Sequence, residues 1–139
     1  LGFRGGLCYG RPVVRSLERL QRDVVPELRR LLRAGGVQAA LEHANGMTTH
    51  RFIGVYRFDD AMLRTTCFYD RENPTAGPPG DIPVMSSYCV FVRDSGQSFA
   101  VTDAAADPRV ADHPKRQQLL SYCGVPLLDE HGKPAEVKQ

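Results

Sequence analysis

Phe52-Ile53-Gly54-Val55-Tyr56-Arg57-Phe58-Asp59-Asp60-Ala61-Met62-Leu63-Arg64-Thr65-Thr66-Cys67-Phe68-Tyr69 is the stretch on which the fold turns. Phe52, Tyr56 and Phe58 alternate with Arg51, Ile53, Val55 and Arg57, and this two-residue period predicts a strand with some burial on both faces. Asp59-Asp60 supplies the turn. Residues 62–69, rich in strand-compatible Thr, Cys and aromatic side chains, return as the second arm of a hairpin. So short a connection joins antiparallel strands.

Upstream the period changes. Leu17, Leu20, Val24, Leu28, Leu31 and Leu32 recur at three- and four-residue steps, which predicts a helix over residues 16–33. Ser16 is its N-cap, Pro26 forces a kink or restart near Asp23, and Gly35-Gly36 is its stop. Val37, Ala40, Leu41 and Ala44 form one face of a second, shorter helix with Gly46 past its end. Gly2, Gly5, Gly6, Gly10 and Pro12 mark residues 1–13 as a flexible arm, leaving 14–139 as a single domain.

Downstream, Pro74, Pro78, Pro79 and Pro83 with Gly77 and Gly80 make residues 70–84 a long surface loop. Residues 86–94 read as a strand or as a short buried helix, because the run Tyr88-Cys89-Val90-Phe91-Val92 fits either. Residues 99–102 are a strand ended by Asp103, and Asp103 and Asp107 cap tight helical turns. A short helix over 114–120, a strand over 122–128 and a hairpin turn at 129–132 follow. Helices and strands do not alternate strictly, so the expected class is α+β: a twisted antiparallel sheet with helices packed around it.

Composition narrows the function. The hydrophobic share of 42% and charged share of 24% exclude global disorder. The five-residue apolar run is far short of the ~20 residues needed to cross a bilayer, so no membrane association is expected. The net charge of +2 does not call for a polyanionic partner. It is unevenly spread, with residues 1–34 at +5 and the remainder at −3. Arg15, Arg19, Arg22, Arg29, Arg30 and Arg33 read as the solvated face of an amphipathic helix, and no nucleic-acid-binding signature accompanies them. The absence of an initiating Met and of a signal-peptide pattern suggests a trimmed domain from a cytoplasmic protein. Cys8, Cys67, Cys89 and Cys123 form no Cys-x-x-Cys pair and have no histidine at ligand spacing, so no metal site is expected and the thiols read as reduced. Ser86, Ser87 and His113 lack a nucleophile elbow, and no catalytic residue is assigned.

Ser98-Phe99-Ala100-Val101-Thr102-Asp103-Ala104-Ala105-Ala106-Asp107-Pro108-Arg109 resembles the GAF-domain segment in which a strand ends at Asp and an Asp-Pro-Arg turn follows. Ser121-Tyr122-Cys123-Gly124-Val125-Pro126-Leu127-Leu128-Asp129-Glu130-His131-Gly132 resembles the family's next signature. His50-Arg51-Phe52-Ile53-Gly54-Val55-Tyr56-Arg57-Phe58 and Ser87-Tyr88-Cys89 also fit a small bacterial branch of that family. The resemblance implies a PAS-like fold in a signal-transduction protein, with a small-molecule ligand against one sheet face. That ligand would be lined by Tyr56, Phe68, Tyr88, Cys89, Phe91, Asp103, Asp107, Tyr122 and Cys123. It identifies neither the ligand nor any cofactor. It leaves two alternatives: a thiol-dependent reductase of free methionine sulfoxide using Cys67, Cys89 and Cys123, or a dimerisation module that holds no ligand. Cys89 and Cys123 are followed by Val90 and Gly124 where bilin-binding relatives carry His, which argues against a covalent bilin. Residues 135–139 stand where the family has a central strand, so a truncated or partner-completed sheet is expected. The leucine stripe of 16–33 needs cover, and a homodimer through that helix supplies it.

Overall fold

The computed structural model describes residues 18–132. Ser16, the 1–13 arm, Cys8 and residues 135–139 lie outside them. A π-helical turn at Leu20–Val24 leads into helix α1, Val25–Gly46. Pro26 is the second residue of α1, and its missing N–H cannot bond back into the helical turn before it. The irregular turn directly before it is the restart that this proline imposes. Gly36, at φ 75° and ψ −170°, breaks the helical path inside α1. The Gly35-Gly36 pair therefore ends the first helical segment, as expected, and a second segment runs on to Gly46; the positive φ favours glycine at the break.

Strands β1 (Phe52–Asp59), β2 (Met62–Asp70) and β3 (Ile82–Pro83) form a sheet in that order. The β1–β2 turn is Asp60-Ala61, one residue later than expected, with Asp60 at φ 55°, which Asp tolerates better than most side chains. The Pro-rich loop ends in β3, antiparallel to β2 with Met62 opposite Pro83 and Leu63 opposite Ile82. Pro83 is admissible because β3 is an edge strand. The ambiguous apolar run is helical: α2 spans Cys89–Ser95 and closes on Gly96, whose N–H donates to the Val92 carbonyl at 2.8 Å. Strands β4 (Phe99–Val101) and β5 (Tyr122–Gly124) pair antiparallel, with Ala100 opposite Cys123.

The α+β class and the antiparallel pairing hold, but the strands form two sheets where one was expected. Strand β5 stops at Gly124 and not at 128, since Pro126 has no N–H to give a ladder. Residues 114–120 make hydrogen-bonded turns and no continuous helix. Their end is drawn into tertiary contacts: Leu119 and Leu120 carbonyls accept from the Tyr88 hydroxyl (3.0 Å) and the Ala104 N–H (2.9 Å).

The chain divides into two compact units. One contains the described residues up to Val55 together with Thr65–Pro79, and the other contains Tyr56–Arg64 and the described residues from Gly80. In the first, a polar network joins the end of α1 to the open end of the hairpin. Asn45 is fully buried, its amide donating to the His50 carbonyl at 3.0 Å. Arg71 Nε donates to Asn45 Oδ1 (2.8 Å), and Nη2 donates to the Asn45 and Thr48 carbonyls. A guanidinium thus covers carbonyls at the negative end of the helix dipole. Arg51 donates twice to Asp70, at 2.9 Å each, and Asp70 Oδ1 also accepts from the Glu72 N–H at 3.0 Å.

Two outcomes follow. Arg71→Ala leaves the buried Asn45 oxygen without its donor and should cost about 2 kcal/mol, or about 8 °C in Tm. Arg71→Lys should recover only part, because one ammonium cannot span the acceptors that the fork reaches. A change in urea unfolding below ~0.5 kcal/mol for Arg71→Ala would mean that the network does not hold this end. Second, the Arg51 hydrogen bonds hold the Asp70 carboxyl below its usual range. Its contribution is complete above the ordinary carboxylate value of about 3.9 and is lost as pH falls through the depressed value. Asp70→Asn should therefore flatten the acid limb of a plot of urea midpoint against pH.

Candidate functional site

The second unit carries two adjoining apolar clusters. Leu63, Val84, Cys89 and Val90 form one, with Tyr56, Phe58, Phe91 and Tyr122 packed against it. Tyr88, Val101, Ala104 and Val110 form the other, flanked by Phe91, Phe99, Leu119 and Tyr122. Phe91 and Tyr122 belong to the margin of both, so they join α2 and β5 into one body.

Tyr88 is completely buried. Its hydroxyl donates to the Leu119 carbonyl, and its ring meets Tyr122 edge-on at 5.7 Å and His113 at 4.6 Å. Phe91 stacks on Phe99 at 4.6 Å. Tyr122 Oη donates to Cys89 Sγ at 3.2 Å. Tyr56, on β1, packs against the cluster that holds Cys89: burial, with Cys89 adding to it, pushes its phenol up to about 12. Burial, then Cys89, also raises the Tyr122 phenol, and burial raises that of Tyr88.

Gly124 makes this placement of Tyr122 possible. The Tyr122 ring leans forward along β5, and a Cβ on Gly124 would sit 2.6 Å from its Cζ, with Oη closer still. The Tyr-x-Gly spacing therefore encodes a bare backbone over which the ring lies to reach Cys89.

Of the nine residues expected at the site, Tyr56, Tyr88, Cys89, Phe91 and Tyr122 are gathered in this body. Phe68 belongs to the other unit, where it stacks on Phe52 at 5.7 Å. Cys123 is exposed, because adjacent residues of a strand point to opposite faces and Tyr122 takes the inner one. Asp103 and Asp107 serve the backbone: Asp103 accepts from the Ala105 N–H, and Asp107 caps the 3-10 turn Pro108–Val110. Asp107 also pairs with Arg109, whose guanidinium donates to the Ala100 carbonyl and lies 4.7 Å over the Phe99 ring. The Asp-Pro-Arg turn is thereby fastened to β4. Both aspartates line an open depression of about 380 Å³ with Thr102 and Arg109.

Phe99, His113 and Gly124 complete the packing and were not among the expected site residues. His113 Nδ1 accepts from the Lys115 N–H, and the ring presses on Tyr88. A lone histidine in a turn carries no sequence signal for that role. Among the described residues, no three of His, Cys, Asp and Glu gather as metal ligands, and no helix is long and apolar enough to cross a membrane. Comparison of the chain with protein-family models and with curated proteins finds no match.

Thiol exposure gives an ordered outcome. Cys123 is exposed, Cys67 is half-buried with its thiol donating to Gln38 Oε1 at 2.9 Å, and Cys89 is buried. Alkylation of the folded protein should proceed in that order, and unfolding should release every thiol. A mass deficit showing a disulfide, or Cys89 reacting as fast as Cys123, would contradict this arrangement. The tyrosines give an alkaline counterpart. Because folding raises their phenols, the stability they confer is complete below about pH 10 and lost as pH rises, for Tyr56 through about 12. Near-ultraviolet titration should show fewer tyrosinates at about pH 11 in the folded chain than in urea.

Proposed function

We propose that the chain is a non-enzymatic regulatory module of GAF type that binds a small molecule in a cytoplasmic signalling protein and works as a homodimer. The observation that carries this reading is the convergence of Tyr56, Cys89 and Tyr122, drawn from three separate stretches of sequence, on one apolar body. Two phenols and a thiol on an aromatic wall suit a compact, largely apolar ligand with one or two hydrogen-bonding groups. Such a ligand takes the position of the Tyr122 hydroxyl beside Cys89. Tyr122 also abuts Tyr88 and Phe99, so displacing it disturbs β4, β5 and α2 together. Ligand binding then favours one packing of this body over another, which is what a sensor requires.

A second reading, a dimerisation module filled by its own side chains, is favoured by one observation: the Tyr122 hydroxyl already has a partner in Cys89. A thiol reductase is less well supported. Reducing a sulfoxide to a thioether and water converts two thiols to a disulfide, and exposed Cys123 lies on the strand face opposite Tyr122.

Thermal denaturation against a panel of small metabolites separates these readings. A ligand at about a hundred times its Kd adds about 2.7 kcal/mol, a rise of roughly 10 °C. Tyr122→Phe and Cys89→Ser should weaken that rise while leaving the chain folded. If no compound shifts Tm, the self-filled reading stands. Thioredoxin-coupled NADPH consumption with methionine sulfoxide, lost in Cys89→Ser, would instead favour the reductase.

A further inference from the structure

The chain has two asparagines: Asn45, followed by Gly46, and Asn73, followed by Pro74. The side-chain amide of an asparagine is open to attack by the backbone nitrogen of the next residue. Glycine, with no Cβ, hinders that attack least, and proline, with no N–H, does not make it. Gly46 is not required by the fold. It is the last residue of α1, its φ is not positive, and a Cβ built on it meets no atom within 4 Å. Alanine would fit there and favour the helix.

Asn45, by contrast, is held in a state that does not react. It is fully buried, its amide nitrogen donates to the His50 carbonyl at 3.0 Å, and its Oδ1 accepts from Arg71 Nε at 2.8 Å. Its own carbonyl accepts from Arg71 Nη2, the Thr48 N–H and the Thr48 hydroxyl. Asn45 also keeps helical backbone angles inside α1. Closing a ring onto Gly46 needs Asn45 Cβ and the Gly46 nitrogen nearly eclipsed about the Cα–C bond, and a helical ψ holds them apart.

We propose that Asn45-Gly46 is a self-modification site gated by this network. It converts when the end of α1 lets go of Arg71 and the hairpin, and the conversion makes that opening one-way. The Gly46 nitrogen gives its proton to solvent and bonds to Asn45 Cγ. The Cγ–Nδ2 bond breaks and the nitrogen leaves as ammonia, giving a succinimide. Water then adds to either ring carbonyl and the C–N bond there breaks, leaving aspartate or an isoaspartate whose chain runs through the side-chain carbon. In sum, one water is consumed and one ammonia released. Both products oppose reclosure. The donor to His50 becomes an oxygen facing a carbonyl, and its negative charge sits at the negative end of the helix dipole. Isoaspartate also lengthens the backbone inside the turn that the Met47 and Thr48 N–H groups close on Ala44 and Asn45.

The test keeps the full chain at neutral pH, folded and in parallel unfolded in guanidinium chloride. Mass spectrometry of the peptides reads the exchange of amide for carboxyl, and isoaspartyl methyltransferase labelling reads the rearranged backbone. In the unfolded chain Asn45 should convert while Asn73 stays intact. In the folded chain Asn45 should convert at least about tenfold more slowly. Arg71→Ala, shown by circular dichroism to be folded, should raise the folded rate about tenfold, with Arg71→Lys in between. Gly46→Ala should slow the unfolded rate severalfold and leave Tm unchanged or higher. A folded rate within about threefold of the unfolded one overturns the gate, as does an unchanged folded rate in both Arg71 variants. An unfolded chain in which Asn45 is as inert as Asn73 overturns the site itself.

Discussion

Tyr88 is the constraint from which the second unit is organised. It stands at the entrance to α2, is fully buried, and gives its hydroxyl to Leu119, thirty-one residues further along the chain. A buried phenol without a partner would cost about 1–3 kcal/mol, so the Leu119 carbonyl must be presented to it. That bond fastens the end of the 114–120 turns directly before β5 begins at Tyr122. Tyr122 then lies against both Tyr88 and Cys89. The candidate ligand face thus depends on a single buried hydroxyl for its backbone path and on Gly124 for the room its outermost ring needs.

The first unit is held differently. Where the second buries aromatic and aliphatic surface, the first closes α1 onto the hairpin through Asn45, Arg71, Arg51 and Asp70. Each buried polar atom in that set has a named partner, and this is the condition under which a polar network stabilises. Such bonds are directional, so they set the path of the chain between helix and strand. They also make this unit sensitive to acid, whereas the tyrosines make the other unit sensitive to base.

The hairpin was legible in the sequence because its two-residue period admits one interpretation and a short turn admits one direction. The Pro26 restart and the Gly132 turn were legible for equally local reasons. Residues 88–92 were not, since five consecutive apolar residues satisfy a buried helix and a buried strand alike. The division into two sheets was hidden because strand partners are chosen by contacts far apart in sequence. Within the site, the aromatic set was readable as a group, but Phe68 could not be separated from it without the fold. Cys123 could have been: strand alternation alone forbids neighbouring Tyr122 and Cys123 from sharing a face. The Tyr-x-Gly pair was readable as a motif, while its physical reason, a ring lying across bare backbone, needed coordinates.

Native-state hydrogen exchange tests most directly whether Tyr88 ties these elements into one body. The amides of Gly96, Ala104 and Val110, bonded to Val92, Leu120 and Asp107, report on α2, the link to the 114–120 turns, and the Asp-Pro-Arg turn. All three should open with one common free energy, and Tyr88→Leu should lower it equally for each. Separate opening free energies, or a Tyr88→Leu effect confined to Gly96, would contradict it.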